Sequence, residues 1–303
     1  MAALVVAGVS VRGLAQAAAR DGFEVIALDC FGDLDTRRAA AQWLPIGAGA
    51  SARIDAARLL DALRAIADAP GREVLGWIAG SGLEGSPDVL ARGAECLPLL
   101  GTPADAVRRV RDPAPFFATL AAHGIAHPPV RFDVAAPGAG GRWLRKDAAG
   151  CGGWHIRVAQ PGERVAPGGS RYFQREVAGT PMSATFIANG RGARVVGLNE
   201  LIVRPRGAQP LVFHGCVGPV TMPSSIARCI DDAVQTLAAA FALRGWCSLD
   251  MLIDGAAVQV LEVNPRPPAS LALYAARGLI DAQLRACLHA ELPAREVFVP
   301  ARV

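Results

Sequence analysis

Short apolar runs dominate the first hundred residues of the chain, and their length decides what they form. Leu4-Val5-Val6-Ala7, Val25-Ile26-Ala27-Leu28 and Val74-Leu75-Gly76-Trp77-Ile78-Ala79 suit buried strands better than helices. Between the first two, Arg12 to Arg20 reads as an Ala-rich helix closed by Gly22. Strand, helix, strand in this order predicts parallel pairing with right-handed crossovers. Further on, Gly101-Thr102-Pro103 opens a helix that reaches Arg111-Asp112-Pro113, and a second runs from Ala114 to Ala122. Val130-Arg131-Phe132 and Arg142 to Lys146 read as strands, separated by a Gly/Pro-rich stretch at 137–141; a second such stretch lies at 161–169. From Gln174 onward the pattern is again one of strands, at 174–177, 183–188 and 195–198, with Asn189-Gly190 as a hairpin turn. A long Ala/Leu helix, Ser225 to Leu243, precedes a last hairpin turning at Asp254-Gly255.

In a parallel sheet ligands gather at the carboxyl ends of the strands, which points to Ser10, Asp29 and the loop from Gly80 to Glu84. A nicotinamide or flavin site is one reading of this unit, and Asp29 stands where a ribose-binding acid would. The turn Gly8-Val9-Ser10-Val11-Arg12-Gly13, however, lacks G-x-G-x-x-G.

Composition narrows the class. Hydrophobic residues make up 52% and charged residues 19%, as in a compact enzyme divided into two or three subdomains. No apolar run spans a bilayer, and Met1 leads into Leu4-Val5-Val6 without a basic signal-peptide start, so no membrane association and a cytoplasmic location are expected. Seven scattered cysteines without a Cys-x-x-Cys pair argue against disulfides and thiolate zinc. His123 and His127 are spaced for a metal on a helix, but Gly124, Pro128 and Pro129 break that helix. A net charge of +4 with arginines spread along the chain predicts no nucleic-acid partner and only a modest preference for anionic substrates.

The chemistry is concentrated in two places. In Val260-Leu261-Glu262-Val263-Asn264-Pro265-Arg266-Pro267, Glu262 and Asn264 share one strand face, and Asp250 falls on the neighbouring strand of the hairpin. Two carboxylates and an amide oxygen suit a hard cation such as Mg²⁺, and Arg266 adds a fixed charge where a phosphoryl group would be transferred. Elsewhere every basic position is arginine except Lys146, which leads into Ala148-Ala149-Gly150-Cys151-Gly152-Gly153. A compact ammonium before a glycine-rich loop is a phosphate cradle. Cys151 reads as a small loop residue and not a nucleophile.

Taken in order, these residues resemble the ATP-grasp superfamily over most of the chain. The resemblance implies an α/β fold with an α+β lid: a Rossmann-like domain at 1–100, a central helical segment and lid at 101–173, and a C-terminal ATP-grasp subdomain at 174–303. It implies ATP and Mg²⁺ (or Mn²⁺) as cofactors. Lys146, Gly150, Gly152 and Gly153 would hold phosphates, and Gln174, Glu176 and Val177 in the linker would hold the adenosine. Asp250, Glu262 and Asn264 would bind metal, with Lys146 and Arg266 as catalytic residues. One departure is Pro113, where the family's central helix usually has a lysine after the aspartate that assists the lid. The implied activity is ADP-forming ligation of an acid to an amine through an acyl phosphate, with a homodimer expected by analogy.

Among subgroups, Gln174-Arg175-Glu176-Val177-Ala178-Gly179-Thr180-Pro181-Met182-Ser183 together with Leu261 to Pro267 is most similar to small carboligases of one-carbon cofactor synthesis, near tyramine–glutamate ligase. That similarity suggests L-glutamate and a small aromatic amine as substrates, with Ser10, Arg12 and the loop at His214 as candidates for holding the acid. Other amino-acid or dipeptide ligases and a small-molecule kinase are the alternatives.

Overall fold

The computed structural model describes residues 2–49, 52–132, 141–166, 168–274 and 277–294. Positions 137–140 of the first Gly/Pro-rich stretch and position 167 of the second lie outside them.

The first unit contains β1 (Ala3–Ala7), α1 (Arg12–Arg20), β2 (Glu24–Asp29), α2 (Leu34–Ala39), β3 (Gln42–Pro45), α3 (Ala56–Ala67), β4 (Val74–Ala79) and α4 (Pro87–Cys96). Its sheet runs β3-β2-β1-β4 with every pairing parallel. All five residues of β1 are buried because helices cover both faces, which is why its sequence is continuously apolar and does not alternate.

Two helices follow, α5 (Ala104–Arg111) and α6 (Pro113–Ala122). Asp112 caps α6 by accepting from the Ala114 amide at 3.1 Å, and Pro113 takes the first helical position, where its missing N–H costs nothing. A small antiparallel sheet comes next, built from β5 (Val130–Arg131), β6 (Trp143–Asp147), β7 (Arg157–Val158) and β8 (Arg171–Arg175) in the order β5-β8-β6-β7. Trp143, Val165 and Phe173 form its core.

The largest sheet runs β11-β10-β9-β12-β13. It joins β9 (Thr180–Asn189), β10 (Ala193–Arg206), β11 (Gln209–Val217), β12 (Arg244–Asp254) and β13 (Ala257–Asn264), all antiparallel. Helix α7 (Ser224–Ala240) packs on it through Ile226, Ile230, Val234 and Leu237. A 3-10 turn at Ala269–Tyr274 leads to the final helix, α8 (Leu279–Leu288).

Several expected boundaries shift. The strand expected at 174–177 lies at 171–175 and frees Glu176 to Gly179 as an extended linker. The strand expected at 195–198 is fourteen residues long, because β10 bridges β9 and β11 with two-sided pairing. Helix α7 stops at Ala240, short of Leu243, and Ala242 takes a positive φ of 52° on the way into β12.

The last helix is shared between the first unit and the large sheet, packing on α1 on one side and on Ile187 and Trp246 on the other. Leu279 and Ile280 share a core with Leu4, Val6 and Val25, and Asp21 at the end of α1 accepts from the amides of Gly278 (2.6 Å) and Ile280 (2.7 Å).

Candidate functional site

A cavity of about 370 Å³ lies between the small antiparallel sheet and the large sheet. Of the residues singled out from sequence, Lys146, Gly152, Gly153, Gln174, Glu176, Val177, Asp250, Glu262, Asn264 and Arg266 all line it. Its apolar walls include Leu144, Ile156, Leu201, Met251 and Leu261. Gly150 does not line it: a Cβ there would run into His155, and its carbonyl accepts from Arg111 at 2.8 Å.

The acidic hairpin explains itself through register. Asp250 pairs with Glu262, and Ser248 with Asn264, across β12 and β13. The Asn264 amide donates to Asp250 Oδ2 at 3.0 Å and turns its own oxygen toward Arg266, which donates to it at 3.4 Å. Burial, reinforced by the charge of Glu262, pushes the Asp250 carboxyl well above the usual carboxylate range. Burial works the same way on Glu262, but Arg111, Lys146 and Arg266 outweigh it and hold that group ionised. Among the described residues no three His, Cys, Asp or Glu side chains cluster as a metal site, since the third oxygen here is an amide. Two carboxylates and an amide still form an all-oxygen donor set that fits a hard divalent cation.

Lys146, at the end of β6, is 4% exposed and donates to Gln174 Oε1 at 3.2 Å from the adjacent strand β8. Burial opposes its charge, yet Tyr172 and Glu262 prevail and raise its pKa. Gln174 Nε2 and His155 Nδ1, both on residues lining the cavity, are buried without a hydrogen-bond partner. The side-chain oxygen of Gln174, one of the residues expected to hold the adenosine, accepts from Lys146, while its Nε2 donor is left unsatisfied. Glu176 lines the cavity while its carboxylate pairs with Arg142 at 3.1 Å. A pocket with a buried ammonium at one end, apolar walls and orphaned donors fits a nucleotide.

Arg111 was not foreseen. The last residue of α5, it is 7% exposed and reaches Glu262 at 3.2 Å, while its other nitrogens donate to the carbonyls of Ala148 (2.5 Å) and Gly150 (2.8 Å). It therefore ties the glycine loop to the acidic hairpin from the position just before Asp112, so a cation reaches the lid even though Pro113 cannot supply one. The loop is also held from two other sides. Gly152 accepts from the Phe213 amide of β11 at 3.0 Å, and Gly85 of the first unit approaches the Ala149 carbonyl so closely that a Cβ would collide. Burial raises the pKa of the Cys151 thiol, which disfavours the thiolate a nucleophile needs.

Other candidates lie outside the cavity lining. Asp29 is fully buried and accepts from the amides of Val11, Phe31 and Gly32 and from the Trp43 indole, so it shapes its own turn and has no oxygen free for a ribose. Ser10, Arg12 and His214 are exposed and lie outside the cavity lining. Glu84 is buried and paired with Arg266 at 3.0 Å.

A small antiparallel sheet faces a larger one across this cleft, with the parallel unit beside them, an arrangement suited to enclosing a nucleotide. An ATP-grasp domain profile matches residues 112–270, and the chain belongs to that family. Among solved structures it is similar to biotin carboxylase from Campylobacter jejuni in complex with β,γ-ATP (TM-score 0.72, 16% identity, covering 98% of this chain and 73% of that one). It is also similar to N5-carboxyaminoimidazole ribonucleotide synthetase from Thermotoga maritima (TM-score 0.64, 14% identity, 99% and 79% covered). A third similar structure is the biotin carboxylase domain dimer of 2-oxoglutarate carboxylase from Hydrogenobacter thermophilus, holding MgADP, ADP and bicarbonate (TM-score 0.73, 14% identity, 98% and 72% covered). At these identities the likeness speaks for the fold. No curated protein matches the sequence. No helix among the described residues is long and apolar enough to cross a membrane.

Proposed function

We propose that the protein is an ATP-dependent, ADP-forming ligase that joins a carboxylic acid to an amine. The observation carrying this reading is the convergence of Lys146, Asp250, Glu262, Asn264 and Arg266 on one cavity from four separate strands and loops. ATP would lie with its adenine beside Glu176 and Val177 in the linker and its phosphates between Lys146 and the loop at Gly152 and Gly153. Asp250, Glu262 and Asn264 would hold Mg²⁺ or Mn²⁺, which neutralises the phosphate charge that repels an incoming carboxylate. The acid's oxygen attacks the γ-phosphorus, the bridging P–O bond breaks, and ADP leaves with its electron pair. The amine then attacks the acyl carbon, loses a proton, and inorganic phosphate departs. Lys146 and Arg266 serve these steps by balancing charge, and no protein nucleophile is needed.

Within this class we propose L-glutamate as the acid and tyramine or tyrosine as the amine, on the likeness of residues 174–183 and 261–267 to the tyramine–glutamate group. Incubation with ATP, Mg²⁺, a panel of acids including L-glutamate, and hydroxylamine tests both levels. Hydroxamate with ADP is expected, and Glu262→Gln should abolish it. A stable phosphorylated product would instead make the protein a kinase, and hydroxamate from another acid alone would remove glutamate while keeping the ligase.

A further inference from the structure

We infer that Glu84, in the loop after β4 of the first unit, is a positioning residue that fixes the reaction-centre guanidinium of Arg266. The inference rests on the ligase reading above for what Arg266 does, and on geometry for how it is held. Glu84 Oε1 accepts from Arg266 Nε at 3.0 Å, across 182 positions of sequence, with the two side chains 1% and 14% exposed. Its second oxygen is not idle: Oε2 accepts from the Gly82 amide at 2.5 Å, which locks the carboxylate to its own loop. Arg266 spends its Nε on Glu84, one terminal nitrogen on the Pro267 carbonyl and the other on Asn264 Oδ1. A planar fork held at three corners presents one face in one direction, into the cavity that it lines.

Burial pushes the Glu84 carboxyl up, but Arg266 and Arg111 hold it below the usual carboxylate range, so the bridge stays ionised at neutral pH. The same loop touches the lid, because Gly85 abuts the Ala149 carbonyl. One first-unit loop thus sets the arginine and braces the phosphate loop. Glu84 does not reach the cavity lining, so it acts through Arg266 and not on substrate.

Glu84→Gln is isosteric and keeps an acceptor for Gly82 while removing the charge. It should lower kcat about 10- to 100-fold, with KM for ATP changed less than about threefold. In an Arg266→Lys background the same substitution should change kcat less than about threefold, since its effect passes through the guanidinium. A wild-type kcat in Glu84→Gln, or an undiminished further loss in the Arg266→Lys background, overturns the assignment. Should Glu84→Gln fail to fold, Glu84→Asp, which shortens the arm and keeps the charge, takes its place in the cycle, and the same two outcomes overturn the assignment. A readout free of turnover separates this inference from the ligase reading. The Nε–H resonance of Arg266, assigned by its loss in Arg266→Lys, should be protected from exchange in the wild type and lost or shifted in Glu84→Gln. An unchanged resonance overturns the positioning role, whereas failure of the wild type to release ADP with any acid strikes only the ligase reading.

Discussion

At Lys146 two influences meet in one side chain. Burial favours the neutral amine, and the neighbouring Tyr172 and Glu262 favour the cation strongly enough to win. The ammonium is thus charged before any phosphate arrives, with Gln174 as its direct partner. Charge-assisted hydrogen bonds are worth about 1.5–3 kcal/mol, so Lys146→Ala should weaken ATP binding about 10- to 100-fold, as read by titration calorimetry. Lys146 was legible in the sequence because it is the lone lysine, and Asp250, Glu262 and Asn264 because strand periodicity puts Glu262 and Asn264 on one face. Arg111 was not. It ends a run, Arg108-Arg109-Val110-Arg111, in which Arg108 faces outward to Asp88 and Asp105 while Arg111 turns inward. Nothing in the helical spacing says which arginine meets a carboxylate 151 positions away.

The glycine-rich loop illustrates the same division at the scale of the element. Its existence could be read from composition, but its grip on three neighbours could not, because those contacts come from Arg111, from Gly85 of the first unit and from Phe213 of β11. Gly153 has a φ of +78°, and a Cβ there would strike the Leu211 carbonyl. Gly153→Ala therefore combines backbone strain with a steric clash at the point where lid and large sheet touch. Strain of about 1–2 kcal/mol should lower the melting temperature of the ligand-free protein, and the displaced loop should weaken nucleotide binding about 5- to 30-fold; paired calorimetry and thermal melts check this. Strands β9 and β10 were underestimated in length for a related reason. The polar residues Glu200, Arg204 and Arg206 interrupt the apolar pattern of β10, which is held by pairing on both edges and not by a single buried face.

At the scale of the molecule, the Glu84–Arg266 bridge joins the first unit to the catalytic half. A carboxyl whose pKa is lower in the folded state stabilises the fold above its unfolded value, about 4.3, and loses that contribution as pH falls through the folded value. The wild type should therefore melt above Glu84→Gln at pH 7, and the gap should close in acid, below about pH 4.3. Melts of both proteins between pH 7 and 3 give the comparison, and a gap that stays constant would mean that the charge of Glu84 contributes nothing. The parallel topology of the first unit was legible from its runs of Val, Ile and Leu, and the class of the whole fold from the resemblance carried by Lys146, Asp250, Glu262, Asn264 and Arg266. That α8 helps to close the first unit's interior was not.

Strand β1 and helix α8 are far apart in sequence yet share one apolar interior, with Asp21 clasping the helix start. During synthesis, that interior stays unfinished until α8 leaves the ribosome. A chimera that exchanges the front domain for another must therefore carry its own closing helix, because a cut drawn after residue 100 would sever one hydrophobic body and not separate two.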